Sequence, residues 1–225
     1  MIHLAKASKS SFVDDGILQI RELCGVKTPG FAARLTRNKA PATQAVSPDA
    51  CRFIYVLNSA CHIVVDGRPN TLIPGDCLHF ADSCDVQESR DADCLTLEVH
   101  ASANGQAGEV FKAQEIGYLP HERNNWMARR LLSEPVRPEH FVVQLSRVTA
   151  APDLPAIPWP EVPFMWFGLQ GYAAFELDGR NVFLLPGDAL SSDSLSDDAE
   201  QGVFTAVPMN DCSDDFEVLE IHLRG

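Results

Sequence analysis

Apolar and polar residues alternate along most of the chain in short runs, and Gly, Pro, Asp and Ser punctuate those runs. A period of two with frequent turns predicts strands rather than helices. Residues 53–65 and 165–177 are rich in β-branched and aromatic side chains and predict two long strands. Asp-Gly stands at residues 66–67 and again at 178–179, a hairpin signal because glycine accepts positive φ. A short strand, a Pro-Gly-Asp turn and a further strand follow in each case. Residues 95–99 and 218–223 alternate in the same way and read as closing strands. Residues 126–133 admit a helix, but they align with residues 17–24, so strands are expected in both places.

These coincidences belong to one repeat. Residues 52–78 lie over residues 164–190 without a gap, and nine of the 27 pairs are identical. The Asp-Gly-Arg and Pro-Gly-Asp turns superimpose. Upstream, residues 31–37 (FAARLTR) lie over 141–147 (FVVQLSR); downstream, 97–100 (LEVH) lie over 219–222 (LEIH). The second copy is longer by an insertion in the Ser- and Asp-rich stretch 191–202. The expected organisation is two copies of one unit, residues 1–104 and 105–225, meeting near ASANGQAG at 101–108. The expected fold class is all-β, in sandwiches or barrels.

Charge narrows the partners. Lys and Arg number 18 against 31 Asp and Glu, a formal charge of −13. No positive field would recruit phosphates, so neither nucleic acid nor an anionic membrane is expected as a partner. No apolar run approaches the ~20 residues of a membrane span, and the first residues lack a secretory pattern. The seven cysteines form no CxxC pair. Reduced thiols in a cytoplasmic protein are expected.

The ordered marks identify a resemblance. Tyr55-Val56-Leu57, Asp66-Gly67-Arg68 and Leu72-Ile73-Pro74-Gly75-Asp76 resemble the core of a cupin, a small jelly-roll barrel. Phe167-Gly168-Leu169, Asp178-Gly179-Arg180 and Leu185-Pro186-Gly187-Asp188 repeat them, so the chain resembles a bicupin of two tandem barrels. The resemblance implies a homodimer paired through edge strands. It does not carry over the family's metal centre, which uses His-x-His, then Glu, then a later His to hold Fe, Mn, Ni or Zn. The Glu position here is Arg52 in one copy and Phe164 in the other. The paired His positions fall within Ala45-Val46-Ser47-Pro48 and Ile157-Pro158-Trp159-Pro160. The later His falls near Asp85-Val86 and near Asp198. A guanidinium repels a cation, so no metal or other cofactor is expected.

Candidate site residues follow. An inward Arg52 needs a carboxylate, from the protein or from a ligand, because an unpaired buried charge is costly. It is the candidate anchor for a small acidic molecule. Phe164 and Trp166 would wall the second barrel, or simply fill its core. His62, His79 and Glu176 are the candidates for acid–base work. A second reading moves metal ligands onto His62, His79 and the nearby cysteines, making a metal-dependent dioxygenase or isomerase; neighbours such as Cys61 and His62 point to opposite faces of a strand. A third reading is a structural subunit with both barrels packed shut. His100 and His222 occupy equivalent places, which favours a structural role. The first reading is a small-molecule binder: a sensor, a carrier or a metal-independent isomerase or cyclase.

Overall fold

The computed structural model describes residues 2–24, 31–46, 51–80, 85–101, 109–120, 126–130, 141–148, 164–177, 180–192 and 216–223. Among these the chain forms strands and one short 3-10 turn, as the alternation predicts. None of the described helices is long and apolar enough to cross a membrane.

Two compact units are present. One comprises residues 10–117 and 131–141; the other comprises residues 1–9, 118–130 and 142–225. In the first unit the strands are β2 (Val13–Asp15), β3 (Leu18–Cys24), β4 (Phe31–Asn38), β5 (Ala42–Val46), β6 (Cys51–Asn58), β7 (Cys61–Val65), β8 (Arg68–Leu72), β9 (Cys77–Phe80), β10 (Val86–Arg90), β11 (Leu95–Ala101) and β12 (Glu109–Phe111). They form a seven-stranded sheet, β12-β9-β6-β11-β4-β3-β2, and a four-stranded sheet, β5-β10-β7-β8. Ile54, Val56, Leu78 and Phe80 from the larger sheet meet Cys61, Ile63, Val65, Leu72 and Val86 from the smaller, forming one buried cluster. The core therefore lies between the sheets, as in a jelly roll.

The other unit contains β1 (Ile2–Ala5), β13 (Leu119–Pro120), β14 (Trp126–Arg130), β15 (Phe141–Val148), β16 (Phe164–Gln170), β17 (Ala173–Leu177), β18 (Arg180–Leu184), β19 (Ala189–Ser192) and β20 (Phe216–Leu223). Its seven-stranded sheet, β1-β19-β16-β20-β15-β14-β13, repeats the strand order of the first, except that β1 comes first in the chain whereas its counterpart β12 comes last in its own sheet; β17 pairs with β18. The strand reading of residues 17–24 and 126–133 agrees with β3 and β14, although 131–133 lie outside the described residues.

Two expectations change. The run 53–65 is not one strand: it breaks at Ser59, whose φ is 56°, so β6 ends in the large sheet and β7 starts the small one. The run 165–177 breaks likewise at Gly171, with φ of 67°. Apolar content alone does not mark such a crossing, because both segments bury side chains in one core. The Asp66-Gly67 hairpin forms as expected, both residues having positive φ.

The compact units also depart at their edges from the 1–104 and 105–225 division of the sequence repeat. β1 pairs with β19, and β12 pairs with β9. Each leading segment is fastened by the Asp of a Pro-Gly-Asp turn. Asp76 accepts from Ile73 N (3.1 Å) within its turn, from Ala113 N (2.8 Å), and from Lys112 Nζ (3.0 Å). Asp188 accepts from Leu185 N (3.1 Å), Ala7 N (2.8 Å) and Lys6 Nζ (2.8 Å). Both lysines also donate to a backbone carbonyl, Lys112 to Thr71 and Lys6 to Phe183. The turn motif is thus a buried carboxylate socket for an incoming strand.

Candidate functional site

The interior of the first unit is not purely apolar. On β10, Val86, Glu88 and Arg90 face inward at alternate positions, while Gln87 is exposed. On β11, Thr96 and Glu98 are fully buried, and Glu98 lies in register with Arg34 on β4 and Ile54 on β6. Arg52, at the start of β6, lies in register with His100 and Phe80. Strand periodicity therefore brings Arg34, Arg52, Glu88, Arg90, Glu98 and His100 together.

The contacts are close. Arg90 donates to Glu88 Oε2 from Nη2 (2.6 Å) and Nε (3.0 Å), to Glu98 Oε1 from Nη2 (2.8 Å), and to Thr96 Oγ1 from Nη1 (2.8 Å). Arg52 Nη2 lies 2.9 Å from Glu98 Oε1, and Arg52 Nη1 lies 3.4 Å from Glu88 Oε1. Arg34 holds Glu98 Oε2 through Nε (3.1 Å) and Nη2 (3.0 Å), and His100 Nε2 lies 3.4 Å from the same oxygen. Phe80 supplies an aromatic neighbour, with Arg52 Cζ 5.9 Å from its centroid.

Electrostatics explain why burial is tolerated. Desolvation alone would raise the Glu98 pKa, but Arg52 and Arg90, with the His100 hydrogen bond and Arg34, hold it well below the usual carboxylate range. Burial likewise weakens Arg90's hold on its proton, and Glu88 and Glu98 overturn that effect. Three guanidiniums face two carboxylates, so the network carries one surplus positive charge when His100 is neutral. Accessibility is graded: the Glu88 and Glu98 side chains are 0% exposed, Arg52 is 9%, and Arg34 and His100 are 28%. The Arg52 Nε and the Glu88 Oε1 make no hydrogen bond among the described residues.

Arg52 is thus inward and paired with internal carboxylates. The donor set does not fit the divalent cation of the standard cupin centre. A cation beside Arg52 would face that guanidinium together with those of Arg34 and Arg90, and both carboxylates are already engaged by them.

The second unit places different chemistry at the equivalent positions. Phe164 takes the place of Arg52, in register with His222, and Trp166 lies in register with Glu220. The Phe164 and Trp166 rings are 5.3 Å apart at 50°, and both are buried. Glu220 is fully buried and accepts from Gln144 Nε2 (3.2 Å) and from Ser146 Oγ, with His222 Nε2 at 3.2 Å. Neutral donors here occupy positions that arginine and threonine take in the first unit.

The remaining candidates are dispersed. His62 is exposed on β7, 3.0 Å from Thr71 Oγ1. His79 is fully buried on β9 in register with Phe53, and burial lowers its pKa to about 4. It alternates with Leu78 and Phe80, so it faces away from the barrel core. His62 and His79 are therefore not brought together, and no group of three or more His, Cys, Asp or Glu suited to a metal occurs among the described residues. Glu176 lies on β17 in register with Asn181; its side chain, the 191–202 insertion beyond Ser192, and Trp159 lie outside the described residues.

Sequence reasoning found Arg52 but missed Glu88, Arg90, Glu98 and Arg34. The signal was present: Val86-x-Glu88-x-Arg90 puts two opposite charges on the face that buries a valine.

No family model and no curated protein matches the chain. Solved structures do. Protein Ylba from E. coli superimposes with a TM-score of 0.72 at 11% identity, covering 99% of this chain and 90% of that one. A cupin 2 conserved barrel domain protein from Leptotrichia buccalis gives 0.61 at 11% identity, over 94% and 91%. HEPD from Streptomyces albus, solved with 2-hydroxyethylphosphonate and Fe(II) bound, gives 0.67 at 10% identity, over 100% and 76%. At such identities the likeness is one of fold: the chain is an all-β protein with the cupin jelly-roll architecture.

Proposed function

We propose that the chain is a tandem pair of cupin barrels from an internal duplication, and that its first barrel binds a small organic carboxylate without a standard metal centre. The observation that carries this reading is the cationic surplus of the Arg34–Arg52–Arg90 and Glu88–Glu98 network. The surplus reaches the part-exposed Arg34 side chain, where an anion can share it with the buried guanidiniums behind. The partly exposed rim at Arg34 and His100 is where such an anion would enter, and the Arg52 Nε–H is a donor left for it. A planar carboxylate suits guanidinium forks.

Binding, as by a sensor or carrier, is favoured over acid–base catalysis at this site. Glu98 is held ionised by its guanidinium partners and so makes a poor proton donor at neutral pH. A metal-dependent reaction of the kind many cupins perform would need donors other than those in this network.

Calorimetric titration with acetate, pyruvate and succinate, and with their neutral amides, tests the proposal. At least one carboxylate should bind saturably while its amide does not. Arg34→Gln should weaken that binding roughly ten- to hundredfold, the worth of a charge-assisted hydrogen bond. Failure of every carboxylate, or equal binding of the amides, would overturn it. Elemental analysis of protein purified without added metal should find substoichiometric transition metal.

A further inference from the structure

Cys61 and Cys94 are free, fully buried, and part of the same core cluster between the two sheets. Topology brings them together. Cys61 on β7 lies in register with Arg90 on β10. Directly after Arg90 the chain turns, with Cys94 N donating to Asp91 O (3.2 Å) and Asp93 at a φ of 62°. Asn38 locks the turn: its N–H donates to Cys94 O (3.2 Å), and its carbonyl accepts from Asp93 N (2.9 Å). Cys94 thereby joins Cys61 in the buried cluster between the sheets, where the two thiols interact with one another. Cys77, also outside any disulfide, alternates with Leu78 and so lies on the opposite face of β9.

We propose that Cys61 and Cys94 are an oxidisable dithiol inside the first barrel, closed to a disulfide by hydrogen peroxide or another small hydroperoxide. The Cys61 hydrogen bond, with the Arg90 charge adding to it, moves the Cys94 thiol down against the effect of burial. Cys61 is moved up. Either sulfur can attack first and leave the other to resolve, with the same disulfide as product; with Cys94 first, two steps follow. The Cys94 thiolate attacks one peroxide oxygen; the O–O bond breaks, and the departing alkoxide or hydroxide takes a proton from solvent. Cys94 is then a sulfenic acid. The Cys61 sulfur attacks the Cys94 sulfur, the S–O bond breaks, and hydroxide leaves with the Cys61 proton as water. In sum, two thiols and one hydroperoxide give a disulfide, an alcohol or water, and a further water. The sulfurs lose two electrons and the O–O bond gains them. Closure brings the sulfurs to about 2.05 Å. Burial restricts the reaction to small oxidants, so bulky aromatic disulfide reagents should leave this pair untouched while the protein is folded.

The test uses the full-length protein exposed to hydrogen peroxide, alkylated with N-ethylmaleimide in denaturant, and mapped by mass spectrometry without reductant. A cross-linked peptide pair joining Cys61 to Cys94, two hydrogens lighter and reversed by dithiothreitol, is expected while far-UV circular dichroism stays native. In Cys61→Ser and in Cys94→Ser the cross-link should be absent, and the remaining thiol of the pair should be recovered as a maleimide adduct or a dimedone-trapped sulfenic acid rather than bridged to another cysteine. Recovery of both wild-type thiols as maleimide adducts, or of Cys94 bridged mainly to another cysteine, would overturn the proposal. Should either variant not fold, the wild-type map alone decides. The readout is independent of carboxylate binding, so the two proposals fail separately.

Discussion

Glu98 is fully buried and touched by four basic side chains, which makes its ionisation part of the folding free energy. Its folded pKa is depressed, so its contribution is complete above the unfolded value of about 4.3 and disappears as pH falls through the folded pKa. Glu98→Gln leaves three guanidiniums facing one carboxylate. It should cost about 3–5 kcal/mol in urea denaturation at pH 7, as expected when one partner of a buried pair is removed. The gap from wild type should narrow as the pH falls below about 4.3. A constant gap at all pH values would mean that the loss is one of packing rather than charge. His79 acts in a separate window. Burial depresses its pKa to about 4, so between the unfolded value and that point the unfolded chain takes up the proton and the folded one does not. Stability should therefore fall as pH drops from about 6.5 towards 4, by roughly 1.5 kcal/mol between pH 6.5 and 5. His79→Gln should remove that slope, measured by urea midpoints at the two pH values.

At the scale of elements, the Pro-Gly-Asp turn joins two tasks. Its glycine takes positive φ, 92° at Gly75 and 84° at Gly187, which turns the chain. Its aspartate then closes the turn and receives a distant strand. Asp188→Ala removes the acceptor for Leu185 N, Ala7 N and Lys6 Nζ together, a loss of at least about 2 kcal/mol. Faster amide exchange at residues 2–7 and 185–190 is the expected signature; Lys6→Ala, which removes only a part-exposed partner, should do less. Gly168 is constrained differently: a Cβ there would meet Leu185 O at 2.5 Å, so Gly168→Ala should push this turn off β16 and lower the melting temperature. Hairpins and turns were legible in the sequence because Asp-Gly and Pro-Gly-Asp are local signals. The partners of β1 and β12 were not, because strands of three or four residues carry no pattern that names a neighbour. The same holds for the charged interior. Arg52 stood out against a family motif, whereas Glu88 and Glu98 looked like surface residues until pairing registers put them beside Arg52, Arg90 and Arg34.

For the whole molecule, these anchored segments determine where the chain can be cut. The sequence repeat suggests a division near residue 104, but residues 1–9 belong to the unit formed mainly by residues 142–225, and residues 109–117 belong to the first unit. A fragment of residues 1–104 would lack β12 and would leave Asp76, 1% exposed, without the donors Ala113 N and Lys112 Nζ. It would also carry β1 with its pairing partner β19 missing, an open edge of the kind that promotes aggregation. A fragment of residues 10–117 keeps the Asp76 socket filled and has no such strand. The longer-reaching fragment should therefore melt cooperatively and at higher temperature, at about 4–8 °C per kcal/mol of the hydrogen bonds retained. Calorimetry on the two fragments decides the matter: if residues 1–104 melt as high as residues 10–117, the aspartate sockets contribute little, and the repeat boundary, not the pairing of the leading strands, is the one that governs folding.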